Sequence, residues 1–196
     1  MVSRQELRAE KRYQRQLLSP QKQLLAARNL ERQLMGMAIF RNARNIACYL
    51  SSDGELDLSF VMRRMQAMKK RCYLPVLDVM GSRRLWFAPF NSDTRLHVNR
   101  FGIPEPMVSP RDYVFARHLD LILLPLVAFD TQGNRLGMGG GFYDRSLAYL
   151  NRRQHWLKPH LYGVAHEFQH VDSLKSAPWD VPLQGIVTDQ RVHSVR

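Results

Sequence analysis

The stretch Leu119 to Leu150, LDLILLPLVAFDTQGNRLGMGGGFYDRSLAYL, limits the folds open to this chain more than any other. It begins with an apolar run, Leu119–Leu126, interrupted only by Asp120 and Pro125. A short run of this kind, bounded by turn formers, reads as a strand buried on both faces, the habit of parallel sheets. Polar and turn-forming residues follow at Asp130–Asn134, then a glycine cluster from Gly137 to Gly141, then Leu147, Ala148 and Leu150 at helical spacing. The predicted order is buried strand, loop, glycine-rich turn, helix. A strand buried on both sides needs cover above and below, so the expected fold is an α/β three-layer sandwich: a mostly parallel sheet with helices on both faces.

The turn also limits the chemistry. Gly137, Gly139, Gly140 and Gly141 lack the Cβ atoms that would hold a ligand off the backbone. A helix starting near Gly141 would aim its unpartnered N–H groups, and the positive end of its dipole, at the occupant of the turn. Arg135 stands at the head of the turn to add a charge-assisted contact, and Asp144 falls in the first helical turn, where a carboxylate can hold magnesium beside phosphates. No Gly-Lys-Ser/Thr follows, and Phe142 and Asp144 occupy the places where a dinucleotide fingerprint would need its third glycine. On these residues alone two readings stay open: an anion-binding cradle, or a tight turn followed by a helix-start aspartate.

The rest of the chain supplies the surroundings. Residues 3–18 predict a helix on which Arg4, Arg8, Lys11 and Arg15 share one face, and Ser19-Pro20 opens a second helix to about Met37 with Leu24, Ala27, Leu34 and Ala38 as its apolar stripe. Asn45–Leu50, a helix through Leu58, Val61, Met62, Met65 and Met68, and Arg71–Val76 form a βαβ unit, in which ligands sit beyond the carboxyl ends of the strands. The turn Ser51–Glu55 lies at such an end. Leu85–Ala88, His160–Ala165 and Gly185–Thr188 read as further strands, and Arg100–Pro106 as a loop.

Charge and composition narrow the function classes. The net charge is +12, of which residues 1–45, with ten Lys or Arg against three Glu, contribute +7. Such an arm suits RNA or a small polyanion, and no aromatic-interleaved RNA motif accompanies it, so a nucleic-acid partner ranks low. No apolar run is long enough for a membrane span, and Cys48 and Cys72 fit a cytoplasmic thiol state better than a disulfide framework. No nucleophilic triad and no metal-ligand histidine spacing are present. No linker divides the chain, so residues 1–196 are expected to form one domain, with a basic helical segment over about 3–37.

Pro125, Phe129-Asp130, Gly133 and the string Arg135-Leu-Gly-Met-Gly-Gly-Gly-Phe-Tyr-Asp-Arg145 resemble the signature of the 5-formyltetrahydrofolate cyclo-ligases, or 5,10-methenyltetrahydrofolate synthetases. The resemblance runs from the basic helix to Asp180-Val-Pro182. It implies an enzyme, a monomer without a membrane partner, that uses ATP and Mg2+ to cyclise 5-formyltetrahydrofolate, with or without a polyglutamate tail. It implies ATP contacts from Arg4, Arg8 and Arg135, Leu136, Gly137, Met138, Gly139, Gly140, Gly141, Phe142 and Tyr143, with Asp144 on the metal. Leu50, Glu55 and Phe101, with Met138 to Phe142, are the implied folate contacts, and Arg135 and Tyr143 the implied catalytic groups. On the residues alone, Glu55 is either a folate ligand or a helix-start carboxylate, Phe101 lines the pocket or anchors its loop, and Tyr143 joins the two ligands or packs in the core. Gln184 stands where the family often has a second acidic residue, so no second metal ligand is expected. The alternative functions are a non-catalytic nucleotide-binding module and a basic RNA-associated protein.

Overall fold

The computed structural model describes residues 3–78, 82–100, 102–152 and 158–195. Two helices open the chain, α1 (Arg4–Gln16) and α2 (Pro20–Gly36), each begun by a serine whose hydroxyl accepts an amide of the first turn. At α1 the Glu6 side chain also accepts from the Ser3 amide, completing a capping box. The second helix buries Ala26, Ala27, Leu30 and Leu34. The expected stripe is therefore rotated: Leu24 is 47% exposed, and Ala38 lies beyond the extended backbone of Met37, in a separate short helix α3 (Ala38–Asn42) that buries Phe40 instead.

The sheet is built from β1 (Asn45–Ala47), α4 (Ser59–Ala67), β2 (Arg71–Leu77), β3 (Leu85–Phe90), a hairpin of β4 (Leu96–Val98) and β5 (Pro104–Pro106), β6 (Leu121–Pro125), a hairpin of β7 (Ala128–Phe129) and β8 (Arg135–Leu136), α5 (Phe142–Leu147), β9 (His160–Ala165), β10 (Gly185–Thr188) and β11 (Val192–Ser194). Seven strands pair in the order β11-β10-β9-β6-β1-β2-β3; the five inner strands are parallel, and β3 and β11 run antiparallel at the edges. Ile46 opposite Cys72 and Leu121 opposite Ile46 set the central register. Asp120, within the apolar run, accepts from the amides of Arg44 and Asn45 and pairs with Lys158 at 2.6 Å, so it pins β1 to β6.

Alternation along the strands divides two cores. Ile46, Leu74, Leu121 and Leu123 face α2, α3 and α4; Ala47, Ile122 and Leu124 face Leu147 of α5, Leu119, and the segment carrying Val181 and Leu183. The sheet is covered on both faces, as expected. Three local expectations need correction. The strand after Asn45 keeps ladder pairing only to Ala47, because the chain turns off toward Ser51–Glu55. The expected loop Arg100–Pro106 ends in β5, where the prolines are tolerated on an edge strand with a single partner. Between the buried strand and the glycine turn the chain inserts the β7–β8 hairpin, and β11 is an added edge.

Candidate active site

Three turns at the carboxyl ends of β1, β6 and β9 meet α1, and each is held by bonds that cross long sequence distances. The β7–β8 loop is fixed by buried Asp130: Oδ1 accepts from the amides of Gln132 and Asn134, and Oδ2 from the Asn134 side chain and the Leu174 amide. That explains the Phe-Asp-x-x-Gly part of the motif as scaffold. The hairpin then delivers Arg135 and the turn Gly137–Gly141. Met138, Gly139 and Gly140 are exposed, and α5 begins after Gly141, where the sequence predicts it. Gly139 has φ +99°, strained for any side chain, and a Cβ there would point at Arg8 Nη2, 3.7 Å away.

Arg8 is the contact that joins the N-terminal helix to this turn. Its Nε donates to the Gly137 carbonyl at 2.8 Å, and burial, then Arg4, push its guanidinium below the usual arginine range. Arg4 is exposed one turn earlier, on the same face. Arg135 is committed within the protein: it donates to the Val181 carbonyl and to Asp144 Oδ1, and that oxygen also accepts from the Val181 amide at 3.3 Å. Asp144 Oδ2 is the oxygen left for a cation. One carboxylate suffices for a magnesium ion that takes its other ligands from water and phosphates, and among the described residues no group of three acidic, His or Cys side chains could make a protein cage. Asp144 therefore fits the ion. Gln184 does not join it; its Oε1 accepts from the Leu161 amide at 3.1 Å and meets His160 Nδ1 at 3.0 Å, at the opposite end of β9.

The Ser51–Glu55 turn forms the other wall. Asp53, at φ 49°, accepts from Arg12 at 2.6 Å, Arg15 at 2.7 Å and Gln16 at 2.8 Å. Burial pushes the Asp53 carboxyl up, but these donors outweigh it and hold it below the ordinary range. Gly54 lies so close to α1 that a Cβ would stand 3.0 Å from both Arg15 Cβ and the Arg15 carbonyl oxygen. Glu55 Oε2 accepts from the Ser52 amide at 3.1 Å, and burial raises the Glu55 carboxyl despite that bond and Arg15. Burial, then Glu55 and Cys48, push the Tyr143 hydroxyl well up. Tyr143 thus stays protonated at working pH and can donate a hydrogen bond but not accept a proton.

The structure brings Arg8, Gly137–Gly141, Arg135, Tyr143, Asp144 and Glu55 to the carboxyl end of the sheet, beside α1. It separates others by role. Leu136 is 1% exposed, so only its backbone can serve a ligand, and its carbonyl already accepts from Val127. Leu50 is half-buried against the first core, and Phe142 against the second. Phe101 lies outside the described residues. Sequence reasoning missed the buried Lys11, Arg15 and His166: Lys11 Nζ donates to the Phe168 carbonyl at 2.8 Å, and His166 Nε2 meets the Gly54 carbonyl at 3.2 Å. The signal for two of them was the shared face of Arg4, Arg8, Lys11 and Arg15.

Comparison with known proteins follows the same outline. The family model of the 5-formyltetrahydrofolate cyclo-ligase family matches residues 1–189. A 5-formyltetrahydrofolate cyclo-ligase of Escherichia coli strain K12 is 38% identical over 181 residues, covering 92% of this chain and 97% of that protein. One from Haemophilus influenzae is 38% identical over 186 residues, 94% and 96% of the two chains. The solution structure of Aquifex aeolicus 5,10-methenyltetrahydrofolate synthetase superposes with a TM-score of 0.82 at 30% identity, over 100% of this chain and 94% of that one.

Proposed function

The chain belongs to the 5-formyltetrahydrofolate cyclo-ligase family, and we propose that it performs the family's ring closure with the residues assembled at the α1 side of the sheet. It is a ligase that converts 5-formyltetrahydrofolate and ATP to 5,10-methenyltetrahydrofolate, ADP and phosphate. The formamide oxygen is a very poor leaving group. Transfer of the γ-phosphoryl group to it makes phosphate the leaving group; nitrogen 10 of the substrate then attacks the formyl carbon, and the C–O bond breaks. Such a reaction asks the protein for alignment and charge neutralisation more than for acid–base groups.

The roles follow. Arg8 and the amides of Gly137–Gly141 hold the phosphates of ATP, with exposed Arg4 as an outer cation. Arg135 reaches the transferred group once a substrate anion competes for the guanidinium now bonded to Asp144. Asp144 holds magnesium, which when bound neutralises phosphate charge. Glu55 accepts donors of the folate, Leu50 and Met138 flank it, and Tyr143 donates toward the junction of the two substrates. The observation that carries this reading is the bond from Arg8 Nε to the Gly137 carbonyl, 129 residues away, which puts a cation over a bare, exposed backbone turn. Free thiols at Cys48 and Cys72 support a cytoplasmic site of action, and two cores packed on one sheet support a single domain. No described helix is long and apolar enough to cross a membrane. Calorimetry on Gly139→Val tests the reading: ATP affinity should fall at least about tenfold, the worth of one charge-assisted contact. Wild-type affinity in a folded variant contradicts it.

A further inference from the structure

The buried face of α1 consists of cations where a helix ordinarily buries apolar side chains: Arg15 is 1% exposed and Lys11 8%. Lys11 has its carbonyl partner on Phe168. Arg15 is less completely matched. Its Nη2 donates to Asp53 Oδ2 at 2.7 Å, yet Nε and Nη1 have no hydrogen-bond partner although both are sealed from solvent. An unmatched donor on a buried charge is destabilising, and apolar side chains would dock the helix without it. Packing alone therefore does not account for an arginine here.

Across from Nη1 stands Glu55, with Oε1 at 3.9 Å. The other oxygen, Oε2, is fixed by the Ser52 amide and hydroxyl at 3.1 and 3.4 Å, which leaves Oε1 as the oxygen nearest Arg15. Asp53 on the same turn, Tyr49 after β1 and Tyr143 on α5 all face this carboxylate with acidic groups, and Cys48 lies beside both tyrosines. His166, from the turn after β9, feels Arg15 and Asp189, and Arg135 acts on Tyr143. Among these groups Arg15 is the cation that bears on Glu55.

We propose that Arg15 is a positioning residue for substrate recognition, holding Glu55 ionised and turned into the folate pocket. An ionised carboxylate is acceptor-only and can take both donors of the pterin's ring N–H and exocyclic amine; a protonated one loses an acceptor to its own proton. The Ser52 amide opposes the burial of this carboxylate first, and Arg15, with Nη1 3.9 Å from Oε1, adds the positive charge that the amide lacks. This inference rests on the assignment of Glu55 to the folate, and its effect belongs to folate binding, not to the ATP turn.

The test is the pH profile of kcat/KM for 5-formyltetrahydrofolate in the wild type, Glu55→Gln, and two neutral variants, Arg15→Met and Arg15→Gln; the second can still hydrogen-bond Asp53 if the first does not fold. Arg15→Lys is the charge-retaining control. The acid limb should move upward by about one pH unit or more in the neutral variants, the usual effect of losing an opposite charge at this range. It should stay in place in Arg15→Lys, and the KM for ATP should not follow it. A neutral variant that melts lower but keeps the wild-type limb makes Arg15 a structural residue and overturns the proposal. Glu55→Gln separates the two assignments. An unchanged folate KM there removes Glu55 from the pocket; a raised KM, with the wild-type limb retained in the Arg15 variants, refutes only the role of Arg15.

Discussion

Gly54→Ala tests how the basic helix is held over the site. The new Cβ would stand 3.0 Å from Arg15 Cβ and from the Arg15 carbonyl oxygen, and 3.1 Å from its carbonyl carbon. Two of these are backbone atoms of α1, so no side-chain rotation relieves the contact. Gly54 also has φ +70°, a conformation worth roughly 1–2 kcal/mol against alanine. Overpacking adds about 1–3 kcal/mol. If all of this, about 2–5 kcal/mol, appeared in unfolding, the melting temperature would drop by about 2–4 °C per kcal/mol for a chain of this size, or about 4–20 °C in total. The helix has a way to evade part of it, since its buried side chains, Lys11 and Arg15, are held by polar contacts that can lengthen. Lifting at Arg15 moves Arg8, two helical turns away, off Gly137. Loss of one charge-assisted phosphate contact of about 1.5–3 kcal/mol raises the KM for ATP by about 10–100-fold. Calorimetric melting and ATP-dependent turnover are measured beside Gly36→Ala, whose Cβ meets nothing within 4 Å and which should leave turnover unchanged and the melting temperature no lower. A Gly54→Ala protein with wild-type melting temperature and wild-type KM for ATP would refute the reasoning.

Asp144→Asn keeps an oxygen for the Val181 amide and Arg135, so stability should fall by only about 1–2 kcal/mol, while magnesium-dependent turnover falls by several kcal/mol of barrier, about 100-fold or more; near-normal turnover with a lowered melting temperature would make it structural. His166 is held below the usual histidine range, chiefly by burial, with Asp189 and the Gly54 carbonyl opposing. The unfolded chain therefore takes up this proton first, and stability present above about pH 6.5 is lost as pH falls below it toward the folded value. His166→Gln should flatten that part of a melting-temperature profile; an unchanged slope would assign it to other groups.

The glycine-rich turn, the helix starting after Gly141, and the strands β9 and β10 were legible because each depends on local order: an apolar run, a bare turn, a periodic stretch. The βαβ unit was legible for the same reason. The buried cations were not. Arg4, Arg8, Lys11 and Arg15 repeat at helical spacing, and such a face reads as solvated until its partners are known; Asp53, Glu55, the Phe168 carbonyl and the Gly137 carbonyl come from turns up to 157 residues away. Arg135 was read as a phosphate ligand because it heads the turn, and the fold gives its guanidinium a carboxylate and the Val181 carbonyl, which no spacing encodes. The hairpins β4–β5 and β7–β8 are too short for periodicity, with two or three residues per strand.

The central claim is that the formyl oxygen leaves as phosphate. It is tested most directly by supplying 5-formyltetrahydrofolate labelled with oxygen-18 at the formyl group, together with ATP and magnesium, and weighing the inorganic phosphate released as the near-ultraviolet absorbance of the methenyl product rises. One labelled oxygen per phosphate, formed in step with product, is the predicted result. Methenyl product formed without ATP, or with unlabelled phosphate and the label in water, would contradict the account.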